Sequence, residues 1–103
     1  MNPNPPHAPY SVVRIMIGPD GRSRRSDWMI SAQRSRWQAG DVAPDLKHVQ
    51  YSIPITQVIA VLHKLLYEFD PFTSSIVHVN GRLVTSGTEA EEVTRTYLPP
   101  AVE

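Results

Sequence analysis

The stretch from Ile53 to Asp70, IPITQVIAVLHKLLYEFD, constrains the fold more than any other part of the chain. Ile55, Val58, Ile59, Leu62, Leu65, Leu66 and Phe69 recur at steps of three and four, the repeat of one side of a helix. Gln57, Ala60, Lys64 and Glu68 fall on the other side. Pro54 suits a first helical turn, where its missing N–H costs no hydrogen bond. Asp70-Pro71 closes the pattern, because the residue ahead of a proline is pushed out of the helical region. A helix with one apolar stripe must pack on something, so the remaining segments have to supply a complementary apolar surface.

Strand patterns on both sides supply it. Tyr10–Ile17 is rich in β-branched residues, with Val13, Ile15 and Ile17 on one side and Val12, Arg14 and Met16 on the other. Gly18-Pro19-Asp20-Gly21 is a turn signal. Asp27–Gln33 alternates Trp28, Ile30 and Ala32 with Met29, Ser31 and Gln33. The competing layout makes 26–39 a helix, but Trp28 and Trp37 would then lie about 180° apart around it, and no stripe joins them. The strand is preferred, and it makes 10–33 a hairpin with Arg22, Arg24 and Arg25 at its tip. Residues 34–46 read as a connector, broken by Gly40, Asp41, Pro44 and Asp45. Lys47–Ile53 alternates Val49, Tyr51 and Ile53 with His48, Gln50 and Ser52. Ile76–Val79 and Arg82–Thr85 flank Asn80-Gly81, the type I′ hairpin dipeptide, whose two-residue loop sets Val77 opposite Val84 and His78 opposite Leu83. Thr88-Glu89-Ala90-Glu91 reads as a capping box opening a short helix, with Ala90, Val93 and Tyr97 on one side, Arg95 in the last turn and Pro99-Pro100 at its end.

The expected architecture is therefore α+β, in the order β-β-β-α-β-β-α, a small, mainly antiparallel sheet covered by the central helix. Residues 10–98 make a single domain. Residues 1–9, with four prolines and no apolar period, make a Pro-rich tail, and 99–103 a short C-terminal one. At 103 residues and 41% hydrophobic there is material for one modest core.

Several chemistries lack their residues. There is no cysteine, which removes disulfides, thiol nucleophiles and Cys-based zinc sites and fits a reducing cytoplasm. His7, His48, His63 and His78 show no metal-ligand spacing. Neither a Gly-x-Ser-x-Gly elbow, nor a P-loop, nor a dinucleotide fingerprint occurs. The start MNPNPPHAPY has neither the basic residues nor the apolar run of a secretory signal, and no apolar run approaches the roughly 20 residues of a membrane span. No enzyme activity, metal or cofactor is expected.

Charge is the suggestive feature. The net charge is zero, yet residues 14–36 hold six arginines against two aspartates, and residues 37–103 hold four cations against eight acids. Arg22, Arg24, Arg25, Arg34 and Arg36, with Trp37 beside them, form the candidate site, since guanidinium forks match carboxylate and phosphate. Trp28 and Trp37 offer a stacking surface for unpaired bases. A few arginines at a polar turn are equally what a solvated loop looks like. Two readings follow. The first is a non-catalytic protein-interaction module, a small regulator or inhibitor that binds an acidic protein surface or associates with itself as a homodimer. The alternative is a nucleic-acid-binding module using the Arg22–Arg36 segment. Val12 and Met16 add that the second side of the first strand is not fully polar, a feature a second chain commonly covers.

Overall fold

In the computed structural model, which describes residues 10–22, 27–38, 40–69, 72–73 and 75–99, the period-two segments are strands and the period-3.6 segments are helices. The order is β1 (Tyr10–Pro19), β2 (Asp27–Trp37), β3 (Asp45–Pro54), α1 (Val58–Phe69), β4 (Ser75–Val79), β5 (Arg82–Val84) and α2 (Gly87–Tyr97). The strands form one sheet in the order β3-β2-β1-β4-β5. All neighbours are antiparallel except β1 and β4, which run parallel from Ser11↔Ser75 to Ile15↔Val79. The α+β architecture read from the sequence is the one observed, with a single parallel pair at its centre.

The apolar alternation explains the layering. Val13, Ile15 and Ile17 of β1, Ile30 and Ala32 of β2, Val77 and Val79 of β4 and Val84 of β5 are buried on one face. Both helices cover that face. Val58, Leu62, Leu65, Leu66 and Phe69 of α1 and Ala90, Val93 and Thr94 of α2 close onto it. Each large side chain fully buried there contributes about 1.5–3 kcal/mol. Trp28, Val49, Tyr51 and Ile53 extend the packing toward the β3 edge.

Four boundaries differ from the sequence expectation. Pro54 does not open the helix; it ends β3, and a single 3-10 turn at Ile55–Gln57 leads into α1. Ile55 and Ile59 are accordingly only half-buried. Asp27–Trp37 is the preferred strand and not the competing helix, but β2 runs four residues beyond the expected Gln33, because Arg34–Trp37 has ladder partners on both sides, in β1 and for most of its length in β3. The connector thus shrinks to 38–44. The cap of α2 lies two residues earlier than expected, since Ser86 accepts the Glu89 N–H at 3.1 Å. Thr94 is inside and Tyr97 is 39% exposed, the Thr94 hydroxyl donating to the Ala90 carbonyl at 2.8 Å.

The β4–β5 hairpin forms in the expected register, Val77↔Val84 and His78↔Leu83. Asn80 at φ 47° and Gly81 at φ 83° supply the two positive angles that a type I′ turn requires. Asn80 does more than turn the chain. Its backbone N–H donates to the Ile15 carbonyl at 2.8 Å, its side-chain oxygen accepts the Ile17 N–H at 2.7 Å, and its side-chain nitrogen donates to the Ile17 carbonyl at 3.0 Å. The amide thereby stands in for the next strand residue and prolongs the parallel ladder beyond the end of β4.

Candidate functional site

The arginine segment is split by the strand that carries it. Arg22 is exposed at the β1–β2 tip, its N–H donating to Asp20 Oδ1 at 2.9 Å. Arg24 and Arg25 lie outside the described residues. Arg34 and Arg36 sit toward the far end of β2, and the seven residue-to-residue steps from Asp27 to Arg34 alone span about 23 Å. Both lie on the helix-covered face. The Arg34 side chain is only 20% exposed and pairs with Asp45 at 3.6 Å, while Arg36 lies opposite Asp45 in the ladder. Trp37 falls on the other face, and it too has contacts within the chain. Trp28 packs against the core. The two tryptophans therefore lie on opposite faces, about 30 Å apart along β2. The described members of the segment do not converge.

The acidic groups with shifted pKa values have structural partners. The Ser52 hydroxyl, and after it the Arg22 N–H, hold the Asp20 carboxyl below its usual range, tying the hairpin tip to β3. His63 and then Arg95 do the same for Glu91, linking the outer rims of α1 and α2. Lys47 lies 5.1 Å from the Phe69 ring centroid and Lys64 5.7 Å from that of Tyr51, so both stems lie along the helix–sheet seam. Among the described residues no group of three His, Asp or Glu side chains could hold a metal ion. No helix there is long and apolar enough to cross a membrane.

What the structure does assemble is the uncovered face of the sheet. The register places side chains from the different strands in lateral rows. Leu46, Ser35, Val12 and Ile76 make one row; His48, Gln33, Arg14, His78 and Leu83 make the next; Gln50, Ser31 and Met16 make the third. Leu46, Met16, Ile76 and Leu83 are each 50–59% exposed, a concentration of large apolar side chains on one surface. A shallow depression lined by Met16, Ile17, Gly18, Pro19, Met29 and Ser31 continues it toward the hairpin end. Sequence reading singled out Val12 and Met16 on this side but missed Arg14 as a site residue. Nothing in β1 alone distinguishes Arg14; its neighbours Gln33, His48 and His78 come from three other strands.

A second depression lies between the helices and the loop after α1, where Tyr67 is 87% and Phe72 38% exposed, with His63 and Glu68 beside them. It is open, and its polar groups are those of the helix rims. Comparison of the chain with protein-family models, with curated proteins and with solved structures finds no match.

Proposed function

We propose that this chain is a non-catalytic protein-interaction module, a small cytoplasmic regulator or inhibitor that acts by occluding a partner through the open face of its sheet. The observation that carries the reading is the exposure of Met16, Ile76, Leu83 and Leu46 on one face of a sheet whose other face carries both helices. Scattered exposed apolar residues need no explanation, but several large ones on one face of a sheet do. Four inter-strand spacings of about 4.8 Å, along strands of about 30 Å, give this face an area on the order of 500 Å². That approaches the roughly 800 Å² per partner of a standard interface. The homodimer is one form of the same reading, with a second copy as the partner. The nucleic-acid alternative loses its main support once Arg22 is separated from Arg34 and Arg36 and the two tryptophans from each other.

The reading is tested by affinity capture from the native host with mass-spectrometric identification, the chain being compared with an Ile76→Asp/Leu83→Asp double variant. Both positions are exposed, so folding should change by no more than about 0.5 kcal/mol per site. A partner held by the native chain and lost from the variant supports the reading. Equal capture by both would move the interface elsewhere. Light scattering of the two forms decides between self-association and a different partner.

A further inference from the structure

The open face has a chemical polarity that its apolar content alone does not explain. Arg14 stands at the middle of the central row, between Gln33 on β2 and His78 on β4. It is exposed, and among the described residues it has no hydrogen-bond or ion-pair partner, in contrast to Arg34 and Arg95, which each have a carboxylate. The Nδ1 atom of His78 beside it is buried with no hydrogen-bond partner among the described residues. No acid stands in any of the three rows. A guanidinium fork without an acceptor, flanked by an amide and an imidazole, with Val12 and Ile76 in the row on one side and Met16 in the row on the other, is the complement of a carboxylate that has apolar side chains near it.

We infer that the open face recognises an acidic protein surface, with Arg14 gripping a partner carboxylate and the Val12–Ile76 and Met16 rows closing on apolar side chains around it. The inference rests on the interaction-module reading and deepens it by naming the partner's chemistry. A protein is favoured over a single-stranded nucleic acid because the exposed large apolar side chains of the three rows, Met16, Leu46, Ile76 and Leu83, are none of them aromatic, whereas bases stack best on aromatic rings. Arginine and methionine, by contrast, are enriched at protein interfaces. Enclosing the pair among apolar side chains also strengthens it, because water is excluded from around the charges.

The test titrates the full-length ¹⁵N-labelled chain with the short blocked glutamate peptide Leu-Ser-Glu-Ser-Leu, whose extended form shows the carboxylate and both leucines on one side, and with its glutamine counterpart Leu-Ser-Gln-Ser-Leu. The glutamate peptide is expected to shift the amides of Val12–Met16, Gln33 and Ile76–His78. Arg14→Gln should weaken it about tenfold, the scale of one charge-assisted hydrogen bond. The glutamine peptide should bind more weakly and be indifferent to Arg14→Gln. Arg14→Lys, which keeps the charge but not the fork, should fall between, and serves as the probe if Arg14→Gln does not fold. Arg36→Gln, on the covered face, should change nothing. Equal binding of the two peptides at this face would overturn the carboxylate inference and leave the interaction reading standing. Absence of glutamate-peptide shifts at the face would overturn it too, and the capture experiment would then judge the broader reading alone. Tighter binding of an oligothymidylate at the same rows would replace the protein partner with a nucleic acid.

Discussion

The two faces of the sheet are made from alternate residues of the same strands, and they differ in how their polar groups are accommodated. On the covered face, Ile15 and Ile30 sit against α1 and α2 at 1% and 0% exposure, and charged side chains at its margin have contacts, Arg34 with Asp45, Lys47 over Phe69 and Lys64 over Tyr51, while Arg34 Nε is buried with no hydrogen-bond partner among the described residues. One residue along, Met16 is 55% exposed and Arg14 has no partner among the described residues. The large apolar side chains of the covered face are enclosed within the chain, and those of the open face are not. Stability should therefore reside in one set of alternating positions and recognition in the other.

Successive residues of β1 give the sharpest way to break that division. Ile15→Ala removes a fully enclosed side chain and should cost about 2–5 kcal/mol. Met16→Ala should change stability by about 0.5 kcal/mol at most. Urea midpoints measure both, and comparable losses at the two positions would mean that the open face is packed in the free protein, contrary to its exposure. Leu62→Ala belongs with Ile15→Ala, since α1 is what covers the first face.

The Asn80 latch sits where the two faces meet, and its loss should be of intermediate size. Asn80→Ala puts a side chain that lacks asparagine's tolerance at φ 47° and deletes both amide bonds to Ile17. The combined cost should be about 2 kcal/mol, from a left-handed penalty of about 1 and a net hydrogen-bond loss of about 1. Asn80→Gly keeps the backbone angle and should cost about half as much. Gly81→Val, at φ 83°, should cost about 1–2 kcal/mol through strain alone. If Asn80→Gly proves harmless in thermal melts, the turn geometry matters and the latch does not.

Those same residues show how far sequence reading reaches. The stripe of α1 and the Asn80-Gly81 turn were legible because each is enforced within a few residues, by a helical repeat and by two positive φ angles. The β1–β4 pairing was not, since a parallel pair joins segments more than sixty residues apart and no local pattern encodes its partner. Asn80 was read as a turn residue, while its bonds to Ile17 depend on that distant pairing. The described arginines of the candidate site are spread along the sheet for a related reason. Arg22, Arg34 and Arg36 are close in sequence, but an extended strand is the conformation that separates sequence neighbours most. Arg14, Gln33, His48 and His78 are far apart in sequence and become one row only through three separate registers.

The smallest effect should come from the outer rim of the covered side. There His63 Nε2 lies 2.6 Å from Glu91 Oε1, and Arg95 Nε donates to Glu91 Oε2 at 3.2 Å. The His63 hydrogen bond first, and the Arg95 one after it, hold the Glu91 carboxyl below its ordinary 4.5. A carboxyl whose pKa is lower folded than unfolded binds its proton more readily in the unfolded chain. Its contribution is therefore fully present above about pH 4.5 and is lost as pH falls through the folded value. Glu91→Gln cannot ionise and removes that dependence. Its stability should match the native chain's most closely at the acid end, and the gap should open as pH rises through the folded value and be complete a little above 4.5. Because the group is exposed, salt should shrink the gap, whereas it should leave the Ile15→Ala loss almost untouched. Urea melts across this range at low and high salt make the measurement. A Glu91→Gln deficit that ignores both pH and salt would show that the helices need this contact for packing, so that burial alone does not hold the covered face together.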